Sequence, residues 1–239
     1  MPLPKIATPT YELELPSTRK PIHYRPFLVK EEKLLVLALE SEDIKEITTA
    51  IKNVIKSCIK TRGIKVENLP TFDIEYLFLN IRGKSVGEDI EVNLICPDDK
   101  KTQVPVTINI DDVQIQRTEG HTNKIKLDPT LMMEMKYPSL SEFIKNNFEF
   151  NEENVMDQSF DMIASCIDKI YNEEEVWVTA DCTKKEITTF LESMNTTQFK
   201  EIEKFFETMP KLSHKVKITN PNTNVESEVV MEGLSSFFG

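Results

Sequence analysis

The chain is poor in the residues on which recognisable chemistry is usually built, with 6 glycines, 3 histidines and 4 cysteines in 239 residues. So few glycines leave little material for loops whose bare backbone cradles a nucleotide phosphate. The Gly-Lys-Ser at 83–85 lacks the glycine that a phosphate loop needs five residues before it, where Phe78 stands. Gly83 as a helix cap and Gly87 as a turn residue account for that stretch. Cys58, Cys96, Cys166 and Cys182 form neither a CxxC pair nor a dense disulfide pattern, so reduced thiols are expected. Cys58 and Cys166 fall on apolar stripes, as inert core residues do. The histidines join no Ser-His-Asp grouping in an elbow or glycine-rich setting. No apolar run approaches the ~18 residues of a membrane span. The opening "MPLPKIATPTYELEL" lacks the basic-then-apolar order of a signal peptide. A cytosolic protein with no cofactor and no metal is the expectation, and nothing argues for an enzyme.

What the chain does have is negative charge, unevenly placed. Residues 1–120 carry 17 Lys/Arg against 19 Asp/Glu, and residues 121–239 carry 12 against 21. The densest stretch is 149–175, where nine acids face only Lys169. A negative field repels a phosphate backbone, which makes nucleic acid a poor partner. The acids are either a solvated face or a docking surface for a basic protein partner, with Glu173, Glu174 and Glu175 as candidate contacts.

Alternation and spacing predict an α+β fold in which helices are interspersed with antiparallel hairpins. Tyr11, Leu13 and Leu15 alternate into the turn "PSTRKP", and Ile22 and Tyr24 alternate out of it, leaving His23 at the surface. A helix over 28–40 follows. Ile44, Ile47, Ile51, Val54, Ile55, Cys58 and Ile59 form one helical stripe, with Gly63 placed as its cap. "TFDIEYLFLNIRG" reads as a mostly apolar helix ended by Gly83, and "EDIEVNLICPDDKKTQVPVTINIDDV" as two strands about a polar turn. The second half repeats the order. A hairpin carries Ile125/Leu127 and Met133/Met135, and a capping box spans Ser139 to Glu142. Met156, Phe160, Ile163, Ile167 and Ile170 make a helical stripe, with "MIASCI" where the first half has "VIKSCI". Two more helices follow, one opened by the capping box of Thr183 and Glu186, and then a closing hairpin. Val216, Ile218, Asn220 and Pro221 overlie Val92, Leu94, Cys96 and Pro97. With a turn three residues shorter, Val229 and Met231 overlie Ile108 and Ile110. Two pseudo-repeats of hairpin, helices and hairpin are expected, over 1–120 and 121–239, packed either separately or as one domain.

Paired turns at Cys96-Pro97 and Asn220-Pro221 raise the alternative of a degenerate zinc-ribbon module associated with nucleic acid. A zinc ribbon needs two cysteines per turn, and here one turn has a single cysteine and the other none. At the chain end, Phe237 and Phe238 either pack back on the last helix or anchor a partner.

Several stretches in order, "LPKIATPTYELELPST", "YRPFLVKEEKLL", "FDIEYLFLNIRGKSVGE", "CPDD", "MKYPSL", "FFETMPKLSH" and "EGLSSFFG", together resemble the baseplate hub and hub-assembly proteins of T-even-like contractile-tailed bacteriophages. The resemblance implies a late phage protein that helps assemble the baseplate hub in the host bacterial cytoplasm. It would act as an assembly chaperone, or as a minor hub component carried into the virion tail. Its implied partners are other phage baseplate hub proteins, and it brings no catalytic residues. Some relatives have paired cysteines in the corresponding hairpins, and Cys96 and Asn220 depart from that pattern. The partner within the hub and the oligomeric state are left open.

Overall fold

The structure, a computed structural model, describes residues 6–140, 155–233 and 236. It is an α+β protein of two compact units, one built from Met1–Gln116 with Lys211–Gly239 and the other from Arg117–Pro210. The first crossing lies near the expected boundary at 120. The closing hairpin, however, belongs to the first unit and not to the second.

In the first unit, β1 (Tyr11–Glu14) and β2 (Pro21–Tyr24) pair with Leu13 opposite Ile22. Their alternation buries Leu13, Leu15, Ile22 and Tyr24 and leaves Glu12 and His23 exposed. Helices α1 (Val29–Glu40), α2 (Ile44–Cys58) and α3 (Thr71–Val86) follow, with α1 packed on α2 and α2 on α3. Asp43 caps α2, its carboxylate accepting from the N–H groups of Lys45 and Glu46. Ile51, Val54, Ile55 and Cys58 are buried on the expected stripe. The helix stops short of the expected Ile59 because that residue turns extended and bridges to Tyr24. Arg25 N–H donates to Cys58 C=O (3.0 Å) and Lys60 N–H to His23 C=O (2.8 Å), so strand pairing replaces the next helical turn. Gly63 belongs to a later turn.

The apolar character of α3 reflects burial on several sides, with Phe72, Ile74, Leu77, Phe78, Leu79 and Ile81 all inside. Gly83 does not end it. The glycine lies within the helix, where Ile110 Cδ1 comes within 3.1 Å of the position a Cβ would occupy. The stop is Gly87, at φ 118° and ψ 155°, a conformation that side chains rarely adopt. Strands β3 (Asp89–Ile95), β4 (Gln103–Asn109) and β5 (Gln114–Gln116) complete this part of the chain.

The second unit is a four-stranded antiparallel sheet with helices against it. Its strands are β6 (Lys124–Lys126), β7 (Met132–Met135), β8 (Ile167–Tyr171) and β9 (Val176–Val178), in that order across the sheet. Helices α4 (Val155–Ser165), α5 (Lys184–Glu192) and α6 (Thr196–Thr208) supply Ala164, Leu191, Ile202 and Phe205 to a core shared with Ile125, Leu127, Met133, Met135, Cys166 and Ile167. The expected helical stripe through Ile170 ends at Ser165. There the hydroxyl donates to Met162 C=O (2.7 Å), Cys166 N–H bonds to Ile163 C=O (3.0 Å), and the chain runs on as β8. Ile163, Ile167 and Ile170 satisfy helical spacing, but Ile167 and Ile170 also suit a strand paired on both sides. Cys166 C=O then accepts from Lys136 N–H (2.7 Å) and Ile167 faces Met135, the contact that Cys58 and Ile59 make beside β2. Thr183 and Glu186 form the expected capping box, and Asn195 with Gln198 caps α6. The box expected at Ser139 to Glu142 reaches beyond the described residues.

Finally β10 (Lys211–Thr219) returns to the first unit, pairing β11 (Glu226–Glu232) on one side and β5 on the other, with Leu212 opposite Ile115. Both long hairpins bury their inner faces in one core with Leu79, Val113 and Leu212. Their registers correct the sequence overlay. The closing turn is one residue shorter than the first, so with Asn220 on Cys96, Val229 falls on Val106 and Met231 on Ile108.

Candidate functional site at an open strand edge

In the second unit the turn from β8 to β9 is organised by Asn172. Its side-chain oxygen accepts from the N–H groups of Glu174 (2.8 Å) and Glu175 (2.7 Å), and its N–H donates to Glu175 C=O (3.0 Å). Glu173, Glu174 and Glu175 therefore stand together, exposed, at a hairpin tip. Among the described residues none of the three has an ion-pair partner. Lys169 pairs with Glu134 (3.2 Å) and Lys184 with Asp161 (2.6 Å).

The three acids lead straight into β9, which among the described residues is paired only with β8. Because Asn172 and Glu175 are a hydrogen-bonded pair, the alternation makes Ile170 and Trp177 the next one. Val176 and Val178 consequently turn their N–H and C=O groups outward; the Val178 carbonyl also receives the Cys182 thiol at 3.5 Å. Exposure of this strand is high for apolar residues: 60% for Val176 and 40% each for Trp177 and Val178. On the Trp177 face a cavity of about 380 Å³ opens between the sheet and α5, lined by Leu131, Ile170, Trp177, Cys182, Ile187 and Phe190. That volume lies at the small end of ligand pockets, roughly 300–1,000 Å³, and its walls are almost wholly apolar. At its rim Glu186 is held by the cap of α5, its carboxylate accepting from the Thr183 N–H and hydroxyl, both at 2.7 Å. The Thr183 hydroxyl and N–H hold the Glu186 carboxyl below its ordinary pKa.

In the first unit the two Pro turns meet. Asn220 is fully buried, and its Nδ2 donates to Asp98 Oδ1 (3.0 Å), Asp98 Oδ2 (3.1 Å) and Asp99 Oδ2 (3.1 Å). Its Oδ1 accepts from Asn222 N–H (2.9 Å), while Thr223 Oγ1 donates to Asp98 and Asn222 Nδ2 to Thr102 Oγ1 (3.0 Å). Hydrogen bonds from Thr223 and then Asn220 lower the Asp98 pKa, and those from Thr102 and neighbouring N–H groups lower that of Asp99. The two turns begin alike: Lys100 N–H bonds to Cys96 C=O (2.9 Å) and Asn224 N–H to Asn220 C=O (2.8 Å), with Lys100 and Asn224 both left-handed.

The sequence model of the T4 bacteriophage base plate protein family matches residues 8–239. The chain belongs to that family. No curated protein and no solved structure matches it.

In this base plate protein the residues singled out from sequence fall in different places. Glu173, Glu174 and Glu175 come together at the open edge; Phe237 and Phe238 lie outside the described residues. Cys96 and Asn220 are buried at the meeting turns, where Asn220 acts as a donor to carboxylates, and among the described residues no three His, Cys, Asp or Glu are grouped to hold a metal. Cys58 and Cys166 are buried, and burial pushes the Cys58 thiol up to about 11. The Trp177 groove is not among the sites expected from sequence. Its only local signal is a three-residue apolar run, Val176 to Val178, placed directly after three acids.

Proposed function

We propose that this base plate protein serves assembly of the base plate's central hub, as an assembly chaperone or as a minor hub subunit, through protein contacts and without catalysis. It works in the host bacterial cytoplasm with the other hub proteins, and a hub subunit passes from there into the virion tail. The family match across residues 8–239 carries this reading. The open edge of β9 supports it, because exposed strand groups beside an apolar groove are a recognition surface for another chain. In this reading Cys58 is no nucleophile, since a thiol raised to about 11 is not a thiolate at neutral pH. We also read the chain as two related copies. The recurring exits at Cys58-Ile59 and Cys166-Ile167 and the turns at Cys96 and Asn220, which begin alike, support that duplication.

Co-expression with each of the phage's other hub proteins, followed by affinity capture, tests the function. At least one hub protein is expected at fixed stoichiometry, and capture of none overturns the reading. Mass spectrometry of purified virions then separates its two forms: a chaperone is absent from finished particles, whereas a subunit is present in fixed copy number.

A further inference from the structure

We propose that the β9 edge and the Trp177 groove are the docking site for an extended segment of a hub protein, which adds a strand to the sheet, drops one large apolar side chain into the groove and sets basic residues against Glu173, Glu174 and Glu175. The proposal rests on the hub-assembly reading and names the surface through which it operates.

Three observations converge on one occupant. The outward N–H and C=O groups of Val176 and the N–H of Val178 form a short ladder ready for pairing. The groove beside it is apolar, and at about 380 Å³ it suits an inserted side chain. Trp177 forms one wall, the kind of aromatic surface on which binding energy concentrates. Charge then selects the partner. Glu173, Glu174 and Glu175 lack intramolecular ion pairs among the described residues, and Lys169 and Lys184 of the same unit are engaged with Glu134 and Asp161. A second copy of this chain is a poor occupant, because β9 paired antiparallel with itself about Trp177 would set Thr179, Ala180 and Asp181, with no basic residue among them, opposite Glu175, Glu174 and Glu173.

Pairing geometry fixes the spacing of the partner segment. In an antiparallel addition the residue opposite Trp177 shares its face of the sheet and enters the groove. The residues two and three positions later lie opposite Glu175 and Glu174. The recognised pattern is therefore a large apolar residue followed at that distance by lysine or arginine, within an extended stretch.

The test repeats hub-protein capture with the full chain and two variants, Trp177→Ala and the triple change Glu173→Lys, Glu174→Lys, Glu175→Lys. The triple change lies wholly at an exposed tip and leaves the core intact. Circular dichroism confirms folding of both variants. Each is expected to weaken binding of the captured hub protein about tenfold or more. Raising salt is expected to weaken wild-type binding and to have less effect on the charge-reversed chain. Cys182, at the groove wall, is expected to react with a maleimide in the free protein and to be protected in the complex. If wild type captures a hub protein while folded variants bind equally and Cys182 stays reactive, the docking site is wrong and the hub-assembly reading stands. If wild type captures none, the hub-assembly reading falls first.

Discussion

Asn220 joins the two long hairpins at their tips, and replacing it tests how the first unit is closed. Its side chain is fully buried and makes four contacts, three from Nδ2 to Asp98 and Asp99 and one from Asn222 N–H to Oδ1. Asn220→Ala removes donors to charged acceptors and orphans an N–H. The two aspartates can recover water because they sit at the surface of the turn. The expected loss is about 1.5–3 kcal/mol, the worth of a hydrogen bond to a charged group. For a chain of this size that is a fall in Tm of about 3–12 °C. Asn220→Asp is nearly the same shape and should be worse, because it turns the donor into a third carboxylate facing two others. Its carboxyl would have a raised pKa in the folded state, so its penalty applies in full at neutral pH and shrinks as pH falls through that raised value. In wild type the lowered pKa values of Asp98 and Asp99 give stability that is present above the ordinary aspartate range, about 3.9, and lost as pH falls through their folded values. The first effect narrows the gap between wild type and Asn220→Asp between neutral pH and pH 4, and the second adds to it only below that. Thermal melts at neutral pH and near pH 4 measure it. An Asp variant as stable as wild type at neutral pH, or a gap that widens in acid, refutes the reasoning.

Arg25 and Glu31 form a buried pair at 2.9 Å, and Glu31 also accepts from Leu28 N–H at the start of α1. Arg25→Met leaves that carboxylate with only the exposed Lys30 (3.4 Å) as an ion-pair partner and should cost up to about 3–5 kcal/mol in a denaturant titration. In wild type, burial alone would raise the Glu31 pKa, but the Arg25 and Leu28 hydrogen bonds bring it below its ordinary value. Its stabilisation is thus present above about pH 4.3 and lost below, whereas the penalty in Arg25→Met shrinks in acid. His121 bonds Thr208 Oγ1 (2.9 Å) and Tyr137 OH (3.0 Å), and burial followed by the Arg117 charge lowers its pKa. Stability of the second unit should therefore fall as pH drops below about 6.5, and His121→Gln should flatten that slope. Fluorescence of Trp177, the chain's single tryptophan, reads both proteins. Gly87→Ala forces a side chain into φ 118° and should cost about 1–3 kcal/mol by thermal melt.

Much of the local structure was legible because one physical constraint dominated each segment. Period-two alternation marked the hairpins at Leu13/Ile22 and Val92/Val106. Threefold and fourfold spacing marked the buried stripe of α2, and Thr183 with Glu186 marked the start of α5. The stretch after Ser165 was not legible, since Ile163, Ile167 and Ile170 fit a helix and a strand equally well and pairing with β7 and β9 decides. Gly83 read as a stop because glycine is common at helix ends, whereas here it makes room for Ile110, a contact set by tertiary packing. The return of Lys211–Thr219 to the first unit depends on pairing with Gln114–Gln116, about a hundred residues away, which no local pattern encodes. For the same reason the acids at Glu173 to Glu175 were visible as charge, but the groove beside them was not. Its walls come from two loops, two strands and a helix, with no shared spacing.

The most direct test of the hub-assembly account is a phage carrying a deletion of this protein's gene, with electron microscopy of base plates from infected cells and a count of infectious particles. The account predicts base plates that fail to form a complete hub and a loss of infectivity restored by supplying the wild-type chain. Normal base plates and normal infectivity in the deletion would contradict it.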